Sequence, residues 1–229
     1  SATDSQGSDK DIREKLIKSG HVDVMISVAN NFFYTKSLPC SLWFFDKGKP
    51  DELRDKVLFI DARNYYTVVD RTLNEWNEWQ LKNMNAIVWL YRGETDKYKA
   101  LLKQYKSALK EMISEADDDK WNVILDDVFV NGLEIAKQYV KSLRESAKEA
   151  VEECDKREKK KIQASWDEKI SYAEEITEVV KEAHWLYSKF GDGTYEDIPG
   201  LCKIADLKTI EEKGWSLTPG AYVGVAPQE

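Results

Sequence analysis

Residues 22–49, VDVMISVANNFFYTKSLPCSLWFFDKGK, decide how the chain is read. VDVMISV (22–28) is a short apolar run with β-branched residues, and CSLWFFD (40–46) is a second. Both read as strands. Between them, NFFYTKSLP (31–39) places Phe32, Phe33 and Tyr34 in a loop, where aromatic rings are hardest to bury. Working outward, KGKPDELR (47–54) is turn chemistry, and KVLFIDA (56–62) is a third strand. Upstream, DIREKLIKS (11–19) has helical spacing, with Ser8 and Asp9 as candidate caps and Gly20 as its stop. One helix and three strands are α/β material, yet too few elements for a complete doubly wound sheet.

From Leu73 the character changes. LNEWNEWQLKNMNAIVWLYRG (73–93) sets Trp76, Trp79, Met84, Ile87, Val88 and Tyr91 at helical spacing, and a second helix fits 97–115. The acidic cluster 117–119 suits the positive end of a following helix. Ala136, Val140, Leu143, Ala147, Ala150 and Cys154 then step by four and three, a heptad-like seam. The charged run DKREKKK (155–161) cannot be a core face. Trp166, Ile170, Ala173, Ile176, Val180, Ala183 and Tyr187 resume the stepping. The expectation is an antiparallel helix hairpin with the charged run at its tip, or else one long helix. GDGTYEDIPG (191–200) reads as a loop, Asp206 as the cap of a short helix ending near Gly214, and SLTPGAYVGV (216–225) as a Pro-Gly turn with a short strand. The division expected from this change of character is 1–72 and 73–229.

Composition bounds the function. The chain has 229 residues, 42% hydrophobic and 33% charged, and no run approaches the length of a membrane span. The polar start SATDSQGSDK is no signal peptide; lacking an initiator Met, it reads as a loop from inside a longer domain. Three widely spaced cysteines and two histidines make neither a disulfide framework nor a metal cluster, so a reducing, cytoplasmic setting is expected. A net charge of −8 argues against a chain that coats nucleic acid by itself, though not against contact at one spot.

Motifs narrow it further. No glycine-rich phosphate loop follows a strand, and the GDG at 191–193 reads as a turn. Asp61 and Arg63 end a strand; a carboxylate there can be catalytic, but a strand-end Asp that caps the next turn is commoner. The lysine-rich run 155–161 reads as a solvated hairpin tip rather than a phosphate site. The aromatic loop stands apart. Core packing suits Phe32, but three consecutive rings cannot all face one side, so at least one is expected to project. A projecting ring at a sheet end is suited to stacking on a flat ligand, such as a base taken out of a duplex.

The run DIREKLIKSGHVDVMISVANNFFYTKSLPCSLWFFDKGK (11–49), followed by DKVLFIDARN (55–64), resembles the modification (methyltransferase) subunit of type I restriction-modification systems. The closing LTPGAYVGV (217–225) is similar to that family's LTPGRYVG, with Ala221 in place of the usual Arg. The likeness is dense over 11–93 and 206–225 and rests on helical pattern in between. It implies a fold: the α/β end of a methyltransferase-type sheet, followed by a mainly α-helical C-terminal region with a long helix hairpin. It implies an activity: transfer of a methyl group from S-adenosylmethionine to the exocyclic amine of adenine. The aromatic loop would join the penultimate strand to the last, antiparallel one, with Phe33 stacking on the flipped adenine and Tyr34 as second choice. The glycine-rich cofactor loop and the N-P-P-[FY] catalytic motif would lie upstream. No catalytic, cofactor-binding or metal-binding residue is then expected in this chain, which alone would be inactive. The implied partners are the specificity subunit, docked on the helices, the restriction subunit and double-stranded DNA. Two other classes remain: a non-enzymatic helical adaptor that binds a partner protein, and a nucleic-acid-binding module without catalysis.

Overall fold

The computed structural model of the chain describes residues 7–33 and 37–226. Its elements run α1 (Ser8–Lys18), β1 (Val22–Val28), β2 (Cys40–Phe45), β3 (Lys56–Ala62), β4 (Thr67–Val68), β5 (Asn74–Glu75), α2 (Glu78–Tyr91), α3 (Thr95–Ala116), α4 (Asn122–Asp126), α5 (Gly132–Glu153), α6 (Lys159–Phe190), β6 (Cys202–Asp206) and α7 (Leu207–Glu212). They form two compact units, one of residues up to 94 and from 195 onward, the other of residues 95–194. The expected boundary at 72/73 lies within the first of these units, which includes β5 and α2 as well as the C-terminal strand and helix.

The first unit is built on a four-stranded mixed sheet ordered β2-β1-β3-β6. β1 pairs antiparallel with β2 and parallel with β3, and β3 pairs antiparallel with β6. Every residue of β1 is buried, and Val57 to Ile60 of β3 are buried as well. Alternate side chains of a strand face opposite sides, so the two central strands are covered on both faces. That is why they read as continuous apolar runs rather than as alternation. On one face Met25, Val57 and Phe59 pack with Ile17 of α1, Ile210 of α7, and Trp215, Leu217, Tyr222 and Val223 of the closing segment. Phe59 stacks on Tyr222 at 3.9 Å.

The closing motif therefore seals one face of the sheet. Its backbone forms a short 3-10 turn, Pro219–Ala221, at the expected Pro-Gly turn, but residues 222–226 do not form the short strand that the sequence reading put after it. Three further points differ from that reading. The cap of α1 is Gly7 rather than Ser8 or Asp9. α2 begins at Glu78, fixed by an Asn77–Gln80 capping box, and not at Leu73. β6 and the β4–β5 hairpin were too short, or too polar, to stand out as strands.

A buried ionic cluster lies at the opposite end of β1 from the aromatic loop. The β1–β2 register slips between Val22 and Val24, a bulge at Asp23. The Asp23 carboxylate is buried and pairs with Arg92, while its Oδ1 has no hydrogen-bond partner. Beside it, the buried Lys49 ammonium donates to the carbonyl of Val22 at 2.7 Å and to that of Lys56. Burial pushes the Lys49 pKa down, against the pull of Asp23 and other nearby carboxylates.

The second unit is helical. α5 and α6 pack antiparallel, with Arg144 on Glu174 at 2.7 Å, and the charged run 155–161 spans the turn between them and the first residues of α6. This is the expected hairpin rather than one long helix. Ala136, Val140, Leu143 and Ala147 are buried on α5; Ala173, Ile176, Val180 and Ala183 are buried on α6. Toward the tip the seam loosens, with Ala150, Cys154, Trp166 and Ile170 only half-buried. α3 lies along α6, its stripe of Tyr98, Leu101, Tyr105, Leu109 and Ile113 buried. Two tyrosine hydroxyls fix that pairing: Tyr172 donates to the carbonyl of Met112 at 3.1 Å, and Tyr98 to that of Gly191 at 2.8 Å.

Candidate functional site

The carboxyl ends of the parallel strands β1 and β3 lie side by side, Val28 opposite Ala62. Ligands of α/β sheets collect at such ends. The loop leaving β1 begins with Asn31 in the left-handed region, φ 61°, a conformation Asn tolerates better than most residues. The two phenylalanines that follow it have different surroundings. Phe32 is held edge-on between Tyr66, 6.1 Å away, and Trp76, 5.3 Å away. Phe33 remains 46% exposed. Tyr34 lies outside the described residues. The physical expectation that at least one ring projects is met by Phe33.

The segment after β3 supports this loop. Asn74 donates its backbone N–H to the carbonyl of Asn31 at 2.8 Å and its side-chain amide to that of Asn30 at 2.9 Å. The Trp76 indole donates to the carbonyl of Tyr65 at 2.7 Å, and the Tyr65 hydroxyl accepts from Asn83 of α2 at 2.9 Å. Thr67, Asn77 and Gln80 add a polar chain that ties the β4–β5 hairpin to the start of α2. The aromatic loop thus rests on a scaffold reaching to residue 83. No sequence signal linked those segments, because half of the bonds end on backbone carbonyls and the rest join single polar side chains with no repeating pattern.

Asp61 and Arg63 stand at the same end. The Arg63 guanidinium grips the Asp61 carboxylate bidentately, Nε to Oδ1 at 2.8 Å and Nη2 to Oδ2 at 2.6 Å. These hydrogen bonds, with the carboxylate's charge behind them, raise the Arg63 pKa. Asp61 Oδ1 also accepts the Arg63 backbone N–H at 3.2 Å, the turn-capping arrangement that is common at strand ends. Gly220 of the closing motif lies against the guanidinium, and a Cβ there would come within 3.2 Å of Nη2. The pair and the closing motif are thus packed as one piece.

Among the described residues no group of three or more His, Cys, Asp or Glu side chains could hold a metal, and no helix is long and apolar enough to cross a membrane. The 191–193 glycines form a turn at the end of α6, and the 155–161 run lies at the hairpin tip, as the sequence reading had them.

A model of the N-6 DNA Methylase family matches residues 3–125, more than half of the sequence, and the chain belongs to that family. The type I restriction enzyme MjaIX methylase subunit of Methanocaldococcus jannaschii is 39% identical over 74 residues, covering 32% of this chain and 13% of that protein. The HindI methylase subunit of Haemophilus influenzae is 30% identical over 76 residues, 33% of this chain and 16% of that protein. Among solved structures, a type I restriction-modification methyltransferase subunit from Streptococcus thermophilus aligns over 96% of this chain and 24% of its own, with a TM-score of 0.41 and 14% identity. The matched portion spans under a fifth of the curated relatives' length.

Proposed function

We propose that this chain is the C-terminal part of the modification subunit of a type I restriction-modification system, an adenine-specific DNA methyltransferase. In that reading the carboxyl ends of β1 and β3 face the target base, and Phe33 is the surface on which the flipped adenine stacks. The observation that carries it is the contrast between two adjacent rings: Phe32 packs between Tyr66 and Trp76, while Phe33 is left open at the sheet end. The amine to be methylated has its lone pair drawn into the ring, so the base has to be held rigidly for attack. An aromatic surface fixed on a braced loop supplies that positioning.

S-adenosylmethionine would supply the methyl group, with its site and the catalytic polar groups in the part of the protein upstream of this chain. The outer edge of β2 supports that assignment. β2 pairs only with β1 among the described residues, and Phe44 and Phe45 at its end are 47% and 50% exposed. An open apolar edge calls for a covering strand. The helical unit is proposed to dock the specificity subunit, with the restriction subunit and double-stranded DNA completing the assembly. The test uses the complete enzyme with 2-aminopurine at the target position. Phe33→Ala should slow methyl transfer about ten- to hundredfold, in line with the worth of one base–aromatic stack, and should alter the emission of the extruded base. Native turnover and native emission in that variant would overturn the assignment of Phe33.

A further inference from the structure

The β4–β5 hairpin is absorbed by no part of the reading above. It is a narrow antiparallel ribbon with two residue pairs, Thr67 with Glu75 and Val68 with Asn74. Its base is braced: Asn74 holds the aromatic loop, and Thr67 donates to Gln80 at 3.0 Å. Its tip is braced too. The backbone N–H groups of Val69 and Asp70 both reach the carbonyl of Leu73, at 2.9 and 3.2 Å. Asp70 Oδ1 accepts the Thr72 N–H at 2.6 Å and its hydroxyl at 2.9 Å. Yet this stiff element displays apolar surface, with Val68 64% and Val69 50% exposed, next to an exposed Arg71. A ribbon this short cannot bury two adjacent valines within itself.

We propose that the hairpin is a finger that enters duplex DNA beside the base stacked on Phe33, with Val68 and Val69 as an apolar wedge and Arg71 on the phosphate backbone; this rests on the base-flipping reading above. Continuity argues for DNA as the occupant. Asn74 is a hairpin residue and also the clamp on Asn30 and Asn31, so the hairpin and the loop that carries Phe33 are hydrogen-bonded into one piece. Shape argues likewise, since a two-stranded ribbon is among the few elements a groove admits. Charge at the tip is mixed: the exposed Asp70 carboxylate, kept ionised by its Thr72 hydrogen bonds, lies beside Arg71, and with Glu75 at the base of the ribbon Arg71 is the one cation of the turn that can meet a phosphate. Apolar side chains pressed between base steps unstack them, which lowers the cost of extruding the neighbouring adenine.

The experiment compares the complete modification enzyme with its Val68→Ser/Val69→Ser and Arg71→Ala variants. Two duplexes are used: one with the target adenine paired to thymine, one with it opposite an abasic site. The serine variant should methylate the paired duplex about tenfold more slowly and the abasic one within about twofold of native, because the second substrate has already lost its pairing. Arg71→Ala should lower the slope of log affinity against log salt by about one. Equal losses on both duplexes, native rates on both, or loss of the specificity subunit from the complex would overturn the finger. Phe33→Ala, run in parallel, separates the two readings. If it fails while the hairpin variants behave as native, only the finger is wrong; if it behaves as native, the base-flipping reading falls as well.

Discussion

The ring of Phe32 meets the indole of Trp76 edge-on, with centroids 5.3 Å apart. This contact joins the loop after β1 to the segment entering α2, and it frees the neighbouring Phe33 to project. The division of labour predicts opposite phenotypes. Phe32 is half-buried, so Phe32→Ala should cost about 2–3 kcal/mol, somewhat below the roughly 3–5 kcal/mol of a fully buried phenylalanine. Phe33→Ala should stay within about 0.5 kcal/mol of native, as surface substitutions do. Denaturant melts of the two variants provide the comparison; the reverse order would exchange the two roles.

The sequence reading placed Phe32 in the core and left Phe33 or Tyr34 to project, but it did not carry the reason: Phe32 is flanked by Tyr66 and Trp76, which come from far along the chain and carry no mark of that contact. The central strands were legible because burial on both faces writes itself as unbroken apolar runs. β6 was not: CKIAD carries a lysine and an aspartate and lies among turn residues. Its strand character comes from pairing with β3, a contact made across more than a hundred residues. The helix hairpin was legible since both seams repeat at helical spacing and the charged run between them could only face water.

Arg92 should matter more than its partial exposure indicates. Asp23 is buried beside it, and the remaining carboxylate oxygen has no partner. Arg92→Ala strands that charge in the sheet, so the expected loss is about 2–4 kcal/mol, less than the roughly 3–5 kcal/mol of a wholly buried pair because Arg92 reaches solvent. Asp23→Leu combined with Arg92→Met removes the stranded charge and should recover part of the loss, the remainder reflecting the buried Lys49, which loses the nearby Asp23 charge. Urea midpoints for the single and double variants decide this, and a double variant no better than Arg92→Ala would show that the pair is not the cause.

Acid should act on the helical unit through Asp118. Desolvation raises its pKa, but hydrogen bonds from Tyr139, the Lys120 N–H and Lys169 outweigh that and leave it below the ordinary carboxylate value. With the folded pKa depressed, the contribution to stability is present above the unfolded value near 4 and disappears as pH falls through the folded one. The denaturation midpoint of the native chain should therefore exceed that of Asp118→Asn at neutral pH, and the two should converge in acid. A gap that persists at low pH would mean that Asp118 acts through packing or neutral hydrogen bonds.

Alkali should act on the same unit with the opposite sign. Burial, followed by the Glu115 hydrogen bond and charge, pushes the Tyr172 hydroxyl up to about 12, and burial likewise raises Tyr98 and Tyr139. Unfolded tyrosines lose their protons near pH 10 while these folded ones keep them, so stability falls as pH rises from about 10. Tyr172→Phe should flatten part of that decline in a pH series of thermal melts. An unchanged slope would indicate that Tyr172 titrates alike in both states.

Docking of the specificity subunit on the helices is best tested away from the seam. Leu143 and Ile176 are buried within the helical unit, so Leu143→Asp or Ile176→Asp places a charge in a core and should lower the melting temperature outright. Loss of a partner from either variant would then say nothing specific about the interface. Val123 on α4 and Val130 just beyond it are instead 59% and 56% exposed. Val123→Asp and Val130→Asp should leave the melt nearly unchanged. If this part of the unit carries the specificity subunit, each should reduce its co-purification with the full-length protein, and the pair together more than either alone. Full recovery of the partner with both substitutions in a normally folded protein would place the docking surface elsewhere.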